Sequence, residues 1–145
     1  MAPAFSWQAD FVVGDAEMDE THVEFVDCVN ALLTADDDAL SQALERFADH
    51  ARRHFSLEDQ AMRRSVYDNA KCHVDEHAAV LRSVDEVRAA LAEGRVSVVR
   101  AFAQALADWF PEHARVMDQG LAGWLAKCRL GGSPVRIQRR PVAQA

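Results

Sequence analysis

The sequence predicts an all-α protein, an up-down-up-down antiparallel four-helix bundle with an extended N-terminal arm and a flexible C-terminal tail. Apolar residues recur at helical spacing in four long segments. Short polar turns separate those segments, and short connections make successive helices antiparallel neighbours. Histidines and acids sit on the apolar stripe of every helix, where a bundle places its core.

The chain has 145 residues, a length suited to one domain. Residues 1–132 read as the bundle, and 133–145 as a mobile basic tail with Arg136, Arg139 and Arg140. Apolar content of 50% and charged content of 27% are those of an ordinary globular protein. A net charge of -7 argues against nucleic acid or an anionic membrane surface as partner. No apolar run reaches the roughly 20 residues a membrane span needs. The first residues, from Met1 to Trp7, lack the basic and apolar regions of a signal peptide. The three cysteines, Cys28, Cys72 and Cys128, are scattered and odd in number. They read as reduced thiols of a cytoplasmic protein. The tail is the one segment that offers itself to an acidic protein partner.

The arm carries Phe5, Trp7, Phe11, Val12 and Val13 as apolar anchors without helical period. Asp19 stands where the first helix begins, as its N-cap or a first-turn acid. His22, Phe25, Val26, Val29, Leu32 and Leu33 then form one stripe. The second helix, about 38–64, turns Leu40, Leu44, Phe47, Ala51, His54, Phe55, Glu58 and Met62 inward. The third, about 70–93, turns His73, His77, Val80, Val84 and Val87 inward, and Gly94 supplies a left-handed exit. Ser97 is the expected cap of the fourth, which runs to about 127. Its inner line reads Val98, Phe102, Leu106, Trp109, His113, Met117, Leu121 and Trp124. Pro111 lies inside it and predicts a kink just before His113. The five-residue step from His113 to Asp118 overshoots one helical face. Either Asp118 reaches across or the helix widens there into an i→i+5 turn.

His54 and Glu58 are spaced by four residues, as are His73 and His77, so each pair stacks on one helix face. A glutamate on a core stripe is costly unless something neutralises it. Any one of these polar residues alone is ordinary as a hydrogen-bonded core group. His22, His54, Glu58, His73, His77, His113 and Asp118 together, from all four helices, predict a metal site. Five imidazoles and two carboxylates exceed the needs of one tetrahedral zinc. They suit two ions sharing the carboxylates. With one bridging oxygen from water, about eleven of twelve octahedral positions fill and one stays open. No Glu-x-x-His occurs, which separates the set from the ferritin-like kind. No Cys-x-x-Cys-His occurs, and haem would leave Glu58 and Asp118 unexplained. His50, one turn before His54 and next to Arg52 and Arg53, reads as a surface histidine, with a supporting contact to a metal ligand as the alternative. Cys72 adjoins His73 but falls beside the stripe.

The pattern over about residues 7–125 resembles the haemerythrin family, in particular the bacterial single-domain bacteriohaemerythrins. Trp7, Val13-Gly14, Met18-Asp19-x-x-His22, His54-Phe55-x-x-Glu58-Asp59 with Met62, His73-x-x-x-His77 and Trp109-Phe110-x-x-His113-x-x-x-x-Asp118 carry it. The resemblance implies two non-haem irons with a bridging oxo or hydroxo group. His73, His77 and His113 would hold one iron, His22 and His54 the other, and Glu58 and Asp118 would bridge them. O2 would bind reversibly at the two-histidine iron, for storage or delivery. Phe25, Phe55, Met62, Trp109 and Ala114 are the expected walls of that pocket. Ala114 replaces the family's usual bulky aliphatic and Pro111 a helix-compatible residue, which brings in two alternatives. One is an oxygen or redox sensing module; the other is a di-iron enzyme handling peroxide or nitric oxide.

Overall fold

In the computed structural model, residues 5–131 are described. The Arg136, Arg139 and Arg140 tail lies outside them. Four helical rods form the bundle. They are α1 (Ala16–Thr34), α2 (Leu40–Ser65), α3 (Ala70–Ala92) and α4 (Val96–Glu112), the last continued by a wide turn (His113–Asp118) and α5 (Gln119–Arg129). Each packs on its sequence neighbours, and α4 closes the ring against α1. No helix among the described residues is long and apolar enough to cross a membrane.

The arm is not uniformly extended, since Ala9–Phe11 makes a short 3-10 turn. Phe5, Phe11 and Val13 are buried, whereas Trp7 and Val12 remain exposed at 40% and 49%. Trp7 meets Phe11 edge-on from outside, at 5.5 Å between ring centroids, so it covers the anchor rather than being one. The N-cap of α1 is Asp15, which accepts from the Met18 N–H at 3.1 Å. Asp19 is the first-turn acid and accepts from the Val13 and Gly14 N–H groups, tying the arm to the helix. At the other end of α1, Arg100 of α4 donates to the Leu32 and Ala35 carbonyls, which the helix end leaves without backbone partners.

The turn between α2 and α3 places Val66 at φ 54°, with its side chain 78% exposed. A β-branched residue pays steric strain in that left-handed region and gains no packing in return. Val66→Gly is therefore expected to stabilise the protein by about 0.5–1 kcal/mol, read as a rise in the denaturant midpoint. An unchanged or lower midpoint would show that the strain is relaxed in solution.

Helix α3 ends as its sequence predicts. Gly94 has φ 83°, and the Gly94 and Arg95 N–H groups bond back to Leu91 and Ala90 in a Schellman arrangement. That compact exit leaves one residue before α4, so Arg95 occupies the cap position and Ser97 lies inside the helix rather than capping it. The inner face of the fourth rod follows the expected line at Leu106, His113 and Leu121, which are buried, and departs from it elsewhere by one residue. Val99, Ala103, Ala107 and Phe110 are buried, while Val98, Phe102, Trp109, Met117 and Trp124 are half-buried. Two of the buried positions are the alanines Ala103 and Ala107, and larger, half-buried residues flank them. Helix α4 runs through Pro111 to Glu112, and the departure from regular geometry is the wide turn that follows it.

The apolar interior is divided in two. A large cluster contains Phe25, Phe47, Phe55 and Phe110, and a smaller one contains Val13, Met18, Met62 and Leu121. Along α1 the order is Met18, His22, Phe25, and along α2 it is Phe55, Glu58, Met62. The polar residues of the stripes therefore fall between the two clusters.

Candidate metal centre

All seven predicted residues converge. His22 comes from α1, His54 and Glu58 from α2, His73 and His77 from α3, and His113 and Asp118 from the wide turn. Each is at most 4% exposed. On a regular α-helix, His113 and Asp118 would stand about 140° apart. The turn bonds Gln119 N–H to the Ala114 carbonyl, an i→i+5 closure, and brings both side chains to one face.

The two carboxylates divide their oxygens. Asp118 Oδ2 lies 2.8 Å from His22 Nε2, and Oδ1 lies 2.9 Å from His73 Nε2 and 3.2 Å from His113 Nε2. Glu58 Oε2 lies 2.9 Å from His54 Nε2, and Oε1 lies 3.2 Å from His77 Nε2 and 3.4 Å from His73 Nε2. One oxygen of each acid thus serves His22 and His54, and the other serves His73, His77 and His113. Two overlapping donor groups result, each with its ligand atoms within 4.8 Å of one another, and Glu58 and Asp118 belong to both.

The donor set fits a cation. Glu58 Oε1, His77 Nε2 and His113 Nε2 are buried without an aligned hydrogen bond, and all three face the centre of the cluster. Buried polar atoms normally find partners. Imidazole nitrogen and carboxylate oxygen together suit iron among other divalent metals.

The outward ring nitrogens decide which nitrogen stays free. His22 Nδ1–H donates to the Phe11 carbonyl at 2.6 Å, His77 Nδ1–H to Asp59 at 2.8 Å and His113 Nδ1–H to Glu76 at 2.8 Å. A proton held at Nδ1 leaves the Nε2 lone pair directed inward. Aromatic faces fix two of the rings. Phe55 stacks on His77 at 4.1 Å and Trp109 on His113 at 4.2 Å.

Burial opposes the charged form of His73, but Asp118 and Glu58 outweigh it and raise its pKa to about 9. Burial likewise opposes the ionised Asp118, yet the His113, His22 and His73 imidazoles hold its carboxyl well below the usual range. The metal-free cluster is therefore a set of mutually compensating charges.

Phe11, Asp59 and Glu76 were not legible as participants. Phe11 acts through its backbone carbonyl, Asp59 stands in the second-helix motif without a role that its position reveals, and Glu76 carries no spacing that distinguishes it from a surface acid. His50 is a correction. It is 1% exposed, because α1 covers that side of α2 with Phe25 and Glu24, while Arg52 and Arg53 are exposed.

Of the expected walls, Phe25 stands 6.2 Å from the His54 ring, and Ala114 is fully buried in the large cluster. Met62 belongs to the small cluster. The surface cleft that reaches His54 and Glu58 is lined instead by Met18, Thr21, Leu57 and Leu121, among others. Phe110, absent from the expected set, lies 5.1 Å from the His22 ring.

Fold and site define a four-helix bundle built around a histidine–carboxylate cation site. Residues 13–125 match the family model "Hemerythrin HHE cation binding domain". The chain is 33% identical over 125 residues to a protein named bacteriohemerythrin from Ralstonia nicotianae, an alignment covering 86% of this chain and 91% of that protein. Two crystal structures of hemerythrin point mutants superpose with a TM-score of 0.74 at 21% identity, covering 81% of this chain and 94% of theirs. This chain belongs to the haemerythrin family, whose members are non-haem di-iron proteins that bind O2.

Proposed function

We propose that the protein binds O2 reversibly at a pair of non-haem irons, for oxygen storage or delivery. The observation that carries this reading is the division of the Glu58 and Asp118 oxygens between two histidine groups. His73, His77 and His113 would hold one iron and His22 and His54 the other, with both carboxylates and an oxo or hydroxo group as bridges. Counting donors, the two-histidine iron keeps one position open. When bound, two ferrous ions supply the electron density that O2 binding requires.

The chain's own groups do the rest. Phe11, Asp59 and Glu76 hold the imidazoles with Nε2 inward. Phe25, Phe55, Phe110 and Trp109 exclude water from the surroundings of the rings. The cleft past Met18 and Thr21 admits a small molecule toward His54. The free cysteines agree with a cytoplasmic setting. Residues 1–132 would act as one binding unit.

The test is anaerobic reconstitution with ferrous iron, a count of iron per chain, and exposure to air followed by degassing. Two irons per chain and a visible charge-transfer band that appears in air and fades on degassing are expected. Immediate, irreversible conversion to a diferric spectrum would favour redox sensing or turnover over carriage.

A further inference from the structure

We propose that His50 positions His54 for metal binding by accepting its Nδ1 proton, and that Glu24 selects the tautomer of His50 able to accept. The inference rests on the reading of His54 as a ligand. His54 Nε2 faces Glu58 in the centre, so its lone pair belongs there and its proton at Nδ1. His50 Nε2 lies 3.2 Å from that Nδ1. It can only accept, and the single proton of a neutral His50 must then sit on its own Nδ1. A ring that accepts at Nε2 carries no proton there, and at 1% exposure the neutral ring is the form that burial favours. Its Nδ1 lies 3.3 Å from Glu24 Oε1 of α1, without hydrogen-bond alignment. The carboxylate favours the proton on that side.

His50 is expensive where it stands. A buried ring nitrogen without an aligned partner costs about 1–3 kcal/mol, which a leucine would not incur. Orienting His54 is the compensation the geometry offers. The two donor groups also become unequal. His77 and His113 lean on carboxylates, whereas His22 and His54 lean on a carbonyl and a neutral imidazole. The ion at His22 and His54 is therefore the one whose retention depends on His50.

Anaerobic Fe(II) titration against a competing chelator tests this, with thermal melting of the metal-free chain as a second readout. Wild type is expected to hold two ions. His50→Leu should weaken one of them by about 10–100-fold and leave the other unchanged. His50→Gln, whose amide oxygen can accept the same proton, should recover most of the loss. Glu24→Ala should give a smaller loss at the same ion, and it carries the test if His50→Leu does not fold. The metal-free melting temperature of His50→Leu should not fall. Two ions held at wild-type affinity in both His50→Leu and Glu24→Ala would overturn the proposal, as would equal loss of both ions or no rescue by Gln. A wild-type chain that holds fewer than two ions would instead overturn the two-ion reading, and this inference with it.

Discussion

Asp118→Ala is expected to abolish two-ion binding and to destabilise the metal-free protein by about 3–5 kcal/mol. Asp118 is fully buried and meets imidazoles from three parts of the bundle, with His22, His73 and His113 all within 3.2 Å. Removing the acid leaves His22 and His113 without their carboxylate and His73 with only Glu58, 3.4 Å away. Replacing every polar member at once by apolar residues would be a different experiment and can be neutral. Deleting one member of a satisfied buried network is the costly case. Equilibrium denaturation of the metal-free chain measures the stability loss, and metal analysis after reconstitution measures the binding. Asp118→Asn separates the two effects, since it keeps one accepting oxygen but removes the charge that both ions would share. It should retain most of the stability and still fail to hold two ions. An Asp118→Ala variant that loads two ions would show that Asp118 does not join the two donor groups.

Phe110→Ala is expected to cost about 3–5 kcal/mol, the range for truncating a buried aromatic. Phe110 is 1% exposed and stacks on Phe25 at 4.3 Å with 19° between the planes. Its edge meets Phe11 at 5.0 Å and Phe5 at 6.2 Å, so it also seats the N-terminal arm against α4. The arm supplies the Phe11 carbonyl that orients His22. The variant should therefore lose metal affinity on the His22 side beyond the loss of global stability. A cost below about 1 kcal/mol would mean that the cavity refills and that Phe110 is not the wedge between arm and bundle.

Phe110 also shows where sequence reading stopped. Following the large residues of α4 leads to Phe102 and Trp109, which are half-buried, because a helical period identifies a stripe only to within a neighbouring position. The buried Ala103 and Ala107 carry too little hydrophobic weight to pull the stripe toward themselves. His50 failed for a related reason. Arg52 stands about 160° from His50 around the helix and Arg53 about 60°, so the edge of the buried face runs between His50 and Arg53, and where that edge falls depends on the cover that α1 supplies.

By itself the sequence determined the four helices, their antiparallel order, and the inward placement of His22, His54, Glu58, His73, His77, His113 and Asp118. It narrowed the step from His113 to Asp118 to two solutions, a side chain that reaches across or a wider turn, and the structure takes the second. Each of these is a periodicity within a single helix, and polarity at a fixed spacing records it directly. Tertiary structure alone decided how Glu58 and Asp118 share out their oxygens, that Phe11, Asp59 and Glu76 hold the rings, and that His50 is buried against His54. Those are contacts whose geometry depends on how one helix or the arm is set against another. No residue carries that information in its own neighbourhood, because a carbonyl or a surface acid looks the same in sequence whether or not an imidazole is packed against it.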